Sequence, residues 1–209
     1  MNKPQILYIF SLGNPGKEYE KTRHNAGRIV CDEIIKQNLF EKLEKDLSSL
    51  PEEKKRLVDI KYFETDTFMN HSGKFIKDEL RYKNFWDNLK SKIKNINQDK
   101  ALTNDNKNSN NTKERSNLVI VYDDMDIPIG EVKLSFGRSS GGHNGVESVI
   151  KELGTVDFYR IRVGIGPKNN PKMQLNYYVL SKLTDEEVKL IKSSSYKVID
   201  KVKDIIYRQ

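Results

Sequence analysis

The residue that most needs a chemical reason is His24, one of three histidines in 209 residues. It sits in LGNPGKEYEKTRHN (residues 12–25), where the apolar run ILYIF (residues 6–10) ends in a Gly-Asn-Pro-Gly turn. Asp123 follows a second apolar run, LVIVY (residues 118–122), Asn14 lies in the Gly-Asn-Pro-Gly turn, and Asn70, His143 and Asn144 occupy other turns. An imidazole, a carboxylate and several amides suit hydrolysis by an activated water. The imidazole needs one neutral nitrogen toward the water and a partner that fixes the other. Asp123 can accept that N–H and stabilise the imidazolium, raising the histidine pKa, while a nearby helix N-terminus lowers it. Together these influences leave a base that is neutral yet competent near pH 7. Such chemistry suits an activated bond, an ester rather than an amide.

Two other chemistries fit less well. GRSSG (residues 137–141) matches the G-x-S-x-G elbow with Ser139 as nucleophile, but that arrangement needs a histidine downstream of its acid. None follows His143, only four residues on. Asp123, Asp124 and Asp126 resemble a hard-cation cluster, yet one strand end cannot aim three near-consecutive side chains at one point. Asp123 facing a cleft, with the others capping turns or facing water, is the simpler reading. No multi-cysteine site is possible with Cys31 alone, and no GxxxxGK[ST] phosphate loop is present. Neither a metal nor a cofactor is expected.

The elements that must position these groups follow from periodicity. ILYIF reads as a strand and GNPG as its terminating turn. Ala26, Ile29, Val30, Ile34, Ile35 and Leu39 recur at helical spacing, which predicts a helix from Asn25 to about Leu43. Cys31 falls within that apolar pattern and reads as a core residue. LSSLPEEKKR is a solvated connection, LVDIKYF a strand, and DTFMNHSG a strand end and turn. Ser72 is placed to cap a helix carrying Phe75, Ile76, Leu80 and Phe85. After the buried strand LVIVY, DDMDIPIG reads as a strand end with a Pro-containing turn. EVKLSFG is a strand, GRSSGGHNG a turn opening the helix GVESVIKELG, YRIRVGIG a strand, and NYYVLSKL a short extended or mixed segment. The C-terminal stretch opens on a capping box, Thr184 to Glu187, and carries Val188, Ile191, Val198, Val202 and Ile205 on one face. Strands alternating with helices predict a single α/β domain with a central sheet surrounded by helices. Residues 95–117 are Asn-rich and nearly free of hydrophobes, so they cannot offset their ordering entropy. They read as a flexible insertion within one domain, residues 1–209. In open α/β sheets ligands bind beyond the carboxyl ends of strands. Asn14, Asn70 and Asp123 all fall at such ends, with His24 beside them.

Composition narrows the class. At 36% hydrophobic and 32% charged, the chain has no apolar run near the roughly 18–20 residues that span a membrane. ILYIF is also too short for a signal peptide core and no small-residue cleavage site follows it. A single cysteine excludes a disulfide framework and suits a reducing cytosol. The formal charge of +7 suits a polyanionic partner, although 30 acidic residues are interleaved with 37 basic ones.

LGNPGKEYEKTRHNAG, TFMNHSG, DDMDIPIG, SGGHNG and RIRVGIG, in this order, resemble the bacterial-type peptidyl-tRNA hydrolases from Ile6 to about Leu180. The resemblance implies a monomeric α/β enzyme with a mixed, twisted sheet. Its members cleave, without a metal, the ester joining a peptide to the 3′ ribose of tRNA, recycling tRNA from prematurely released peptidyl-tRNA in the cytoplasm. It assigns the base to His24, its carboxylate partner to Asp123, and the water- and substrate-positioning amides to Asn14, Asn70 and Asn144. Met69 matches an apolar wall, Tyr19 a position near the tRNA 3′ CCA end, and Arg162 a basic residue for acceptor-end phosphate. His143 is a supporting residue at the site, and His71 an ordinary turn residue. Ser11 replaces the first glycine of the family's G-L-G-N-P-G, and Arg138 occupies a normally small position. Ser135 stands where a basic residue commonly partners Arg162, so Lys133 or Arg138 would have to supply that charge. The alternative reading is a non-catalytic RNA-binding module on the same fold. The intact set Asn14, His24, Asn70, Asp123 and Asn144 speaks against it, since a binder has no use for a base aligned with a carboxylate.

Overall fold

The computed structural model describes residues 5–52, 54–82, 117–166 and 174–208. The Asn-rich segment up to residue 116 and Phe85 therefore lie outside the described residues. Five strands form one sheet in the order β2-β1-β3-β5-β4. They are β1 (Gln5–Ser11), β2 (Val58–Glu64), β3 (Leu118–Pro128), β4 (Val132–Phe136) and β5 (Tyr159–Gly166). All neighbours pair in parallel except β4 against β5. The helices are α1 (Ala26–Lys36), α2 (Leu39–Ser48), α3 (Ser72–Tyr82), α4 (Asn144–Leu153), α5 (Leu175–Leu180), α6 (Asp185–Ser193) and α7 (Ser195–Arg208).

Strands β1 and β3 are apolar runs because both faces of the sheet are covered. Leu7, Ile9, Val119 and Val121 pack with α1, α2, α6 and α7 on one face. Tyr8, Phe10, Leu118, Ile120 and Tyr122 pack with α3 and α4 on the other. From β1 the chain crosses to β2 on one side, and from β3 it continues to the β4–β5 side. The crevice at which the connections diverge lies between the carboxyl ends of β1 and β3. The main chain closes it from below, where the Leu12 N–H donates to the Val121 carbonyl at 2.9 Å.

Several elements differ from the sequence reading. The helix expected from Asn25 to about Leu43 is two helices, because Asn38 takes left-handed backbone at φ 54 between α1 and α2. The turn read in DDMDIPIG is confined to Ile129 and Gly130: β3 runs on to Pro128, paired with β5 across a register shift between Asp124 and Pro128. TFMN ends in a 3-10 turn, Met69–His71, that leads directly into α3. Ser72 has helical backbone there and its buried hydroxyl finds no partner, so it does not cap the helix. The first five residues of NYYVLSKL are helical, in α5. The capping box at Thr184 and Glu187 forms as read, but α6 stops at Ser193 and α7 begins anew at Ser195. Cys31 is fully buried in the core, where burial pushes its thiol pKa up.

Candidate active site

Asp123 shares the side of β3 with Val119 and Val121, the side against which α1 packs. Strand β1 is paired only as far as Ser11 with Val121, so Asp123 extends past it into the crevice. Helix α1 comes unusually close to this strand. A Cβ on Gly27 would lie 2.6 Å from the Val121 carbonyl oxygen and 2.9 Å from the Tyr122 Cα, so only glycine fits. That approach sets the 3-10 turn Arg23–Asn25 beside the carboxylate.

The result is a shared oxygen. His24 Nδ1 lies 2.9 Å from Asp123 Oδ1, and His143 Nε2 lies 2.8 Å from the same atom. The His24 and Asp123 side chains are 8% and 2% exposed. His143 also caps α4, accepting the Val146 N–H on Nδ1 at 3.2 Å. A ring nitrogen that accepts carries no proton, so the His143 proton sits on Nε2 and is donated to Asp123. His24 in turn donates from Nδ1, leaving the Nε2 lone pair toward the cavity without a partner among the described residues. Burial pulls the His24 pKa down, but the charge of Asp123 and its hydrogen bond outweigh this, and the net direction is up. Burial alone would raise the Asp123 pKa, and the two imidazoles hold it well below the usual carboxylate range instead.

These three donor atoms lie within 4.8 Å of one another, a spacing that a divalent cation would accept. The helix cap argues otherwise. To give Nε2 to a metal, a neutral His143 would need its proton on Nδ1, where it would oppose the Val146 N–H. Of the neighbouring carboxylates, Asp124 is turned to Arg162, accepting from Nη1 at 2.9 Å, and Asp126 is exposed. Ser139 is exposed on its loop, with no hydrogen bond to either imidazole.

A cavity of about 860 Å³ opens over this group. Asn14, His24, Met69, Asn70, Asp123, Arg138, His143, Asn144 and Arg162 all line it. Asn14 Oδ1 accepts the Met69 N–H at 2.8 Å, which turns its NH₂ group toward the cavity. Asn70 and Asn144 are exposed at the cavity with no side-chain partner among the described residues. Met69 is buried, 4% exposed, as the floor between them. Phe68, Leu175, Val179 and Leu180 form an apolar side. Tyr19 is not in the lining and instead stands edge-on to Phe68, ring centres 6.1 Å apart. Lys133 is exposed on β4 opposite Arg162 and also lies outside the lining. His71 is an exposed turn residue.

Two contributors escaped the sequence reading. Asn25, beside His24, grips the main chain of Asn14 from both ends: its Oδ1 accepts the Asn14 N–H at 2.8 Å and its Nδ2 donates to the Asn14 carbonyl at 2.9 Å. This ties the two halves of LGNPGKEYEKTRHN together and accounts for their proximity. Arg160 is wholly buried next to the cavity floor. Its Nη2 donates to the Arg138 carbonyl and its guanidinium lies 4.3 Å from the Phe158 ring centre. Arg160 Nε and Nη1, Arg162 Nε and the Ser135 hydroxyl are all buried without hydrogen-bond partners. The alternation of Arg160 and Arg162 in YRIRVGIG put both on one face, the only advance sign of this.

A parallel-rich α/β sheet thus carries an imidazole–carboxylate pair at its topological switch point, an arrangement compatible with general-base hydrolysis. A model of the peptidyl-tRNA hydrolase family matches residues 8–93 and 101–209. The peptidyl-tRNA hydrolase of Thermodesulfovibrio yellowstonii is 33% identical over 201 residues, covering 96% of this chain and 92% of that protein. That of Aquifex aeolicus is 36% identical over 188 residues, covering 89% and 82%. The crystal structure of peptidyl-tRNA hydrolase from Acinetobacter baumannii superposes with a TM-score of 0.61 over 99% of this chain and 91% of that one. At 23% identity that likeness speaks for the fold. The chain belongs to the peptidyl-tRNA hydrolase family.

Proposed function

We propose that this chain hydrolyses the ester between a peptide, or another N-blocked aminoacyl group, and the 3′ ribose of tRNA, with His24 as the general base. The observation that carries the reading is the His24–Asp123 hydrogen bond of 2.9 Å, which leaves Nε2 free at the cavity. Nε2 takes a proton from a water as its oxygen attacks the ester carbon, and Asp123 stabilises the imidazolium that forms. When the tetrahedral intermediate collapses, the imidazolium returns the proton to the departing 3′ oxygen. The products are a free peptide carboxyl group and a tRNA with its hydroxyl restored. The NH₂ of Asn14, with Asn70 and Asn144, holds the water and the substrate carbonyl through uncharged hydrogen bonds. A free α-ammonium would be poorly satisfied among such amides, which favours a blocked amine.

The nucleic-acid end of the substrate fits the other side of the cavity. Arg162 and Arg138, with the unpartnered donors of Arg160 and Ser135 beneath them, make a positive floor suited to acceptor-end phosphate. Lys133 extends that charge along β4. Tyr19 and Phe68 suit stacking at the 3′ CCA end, and Met69 an apolar wall. In this reading the enzyme works as a single-domain monomer in the cytoplasm, recycling tRNA from prematurely released peptidyl-tRNA. Among the described residues no helix is long and apolar enough to cross a membrane.

The test is release of N-acetyl-aminoacyl residue from tRNA in EDTA, with free aminoacyl-tRNA and the His24→Ala protein alongside. The expected result is selective, EDTA-resistant release that is lost in the variant. Tight tRNA binding without release would support the RNA-binding alternative instead.

A further inference from the structure

Arg28 lies in the first turn of α1, behind the catalytic turn and away from the cavity. Its side chain is 11% exposed, and its guanidinium is spent almost entirely on main-chain carbonyls. Nη1 donates to the Asn14 carbonyl at 3.1 Å and Nη2 to the Gly13 carbonyl at 3.1 Å. Nη2 also donates to the Thr65 carbonyl, just beyond β2, while Glu64 carries the counter-charge 3.0 Å from Nε. Thr65 is itself fastened to β1, its N–H and hydroxyl both donating to the Ser11 carbonyl. Gly13 is shaped around this side chain, since a Cβ there would lie 2.9 Å from Arg28 Nε and 3.2 Å from Asn25 Cγ.

We infer that Arg28 is a positioning residue for the reaction, acting through Asn14. The Asn14 carbonyl accepts from both Asn25 Nδ2 and Arg28 Nη1, and its N–H is held by Asn25 Oδ1. With both ends of its backbone held from behind and its Oδ1 on the Met69 N–H, Asn14 presents its NH₂ to the cavity in one direction. A planar guanidinium can reach three carbonyls at once, whereas an ammonium is a compact point charge on a flexible stem. The hydrogen-bond and ion-pair partners of Arg28 are Asn14, Gly13, Thr65 and Glu64, not His24 or Asp123, so it sets where the amide points and leaves the base alone.

The inference rests on the peptidyl-tRNA hydrolase reading, and a double-mutant cycle in one N-acetyl-aminoacyl-tRNA assay separates the two. Wild type, Asn14→Ala, Arg28→Met and the double variant are compared, with circular dichroism and thermal unfolding verifying each fold. Arg28→Met is expected to lower kcat by roughly 10- to 100-fold, the scale of a misplaced reacting group, while leaving the pH midpoint of the rate unchanged. In the Asn14→Ala background the same change should have little further effect, because the amide it positions is gone. Arg28→Lys should fall between, and Gly13→Ala, which displaces Arg28 without removing a donor, should reproduce the loss. If Arg28→Met does not fold, the cycle is run with Arg28→Lys. Full activity in the folded Arg28 variant, or an equal loss with and without Asn14, would overturn the inference. An inactive wild type would instead overturn the functional reading beneath it.

Discussion

Asp123 is approached by two turns of the same local sequence, His24-Asn25 before α1 and His143-Asn144 at the start of α4. Each histidine gives one ring nitrogen to the same carboxylate oxygen, yet their other nitrogens have opposite fates. That of His143 is occupied by the Val146 N–H, so its ring cannot accept a proton without breaking a helix cap. That of His24 faces the cavity. The asparagines are also used oppositely: Asn25 turns inward to hold the Asn14 main chain, while Asn144 is exposed at the cavity. Chemical role here follows from what the far side of each residue touches, not from residue type or from distance to Asp123.

The contrast is open to direct attack. His24→Ala removes the ring nitrogen left to accept at the cavity, and should lower turnover by roughly 10²–10⁴-fold with the fold retained. Single-turnover hydrolysis of N-acetyl-aminoacyl-tRNA reads this, and near-normal rates in a folded variant would reverse the roles of the two histidines. Asp123→Asn keeps the shape but loses the charge, so turnover should fall by a smaller factor than in His24→Ala. His143→Ala should reduce activity less again. Its larger signature is the lost cap of α4, about 1 kcal/mol of stability in chemical denaturation. A His143 variant as inactive as His24→Ala, yet as stable as wild type, would make it a participant in proton transfer. The smallest effect belongs to the far wall of the cavity. Arg162→Ala should weaken tRNA binding and reduce its salt slope by about one counterion, with kcat for bound substrate preserved. An unchanged salt slope would assign Arg162 to holding Asp124.

Much of this site was legible in the amino-acid sequence, for identifiable reasons. Apolar runs such as ILYIF and LVIVY announce parallel strands buried on both faces, and the residues just after them fall at the crevice. The capping box at Thr184 was equally plain, because it depends on residues three apart. What escaped depends on distant partners. That the strand begun by LVIVY continues through Asp124 to Pro128 is visible only once β5 is alongside it, Asp124 pairing with Gly164. The break at Asn38 interrupts an unbroken helical pattern, because nothing in the spacing of apolar residues records one left-handed residue. Asn25, Arg28 and Arg160 carry ordinary polar side chains in ordinary elements. Their importance lies in carbonyls, rings and a carboxylate brought near by the fold.

The most direct measurement is the pH dependence of kcat/KM for N-acetyl-aminoacyl-tRNA in the wild type and in Asp123→Asn. The acid limb reports the base in the free enzyme, which must be unprotonated to act. Because Asp123 raises the His24 pKa, the wild-type limb should lie above the ordinary histidine value of about 6.5, activity falling as pH drops through it. Without the carboxylate charge, burial is the dominant remaining influence, and the limb should move below about 6.5. A limb in the same place in both proteins would contradict the account, because the base would then not be a histidine that Asp123 holds.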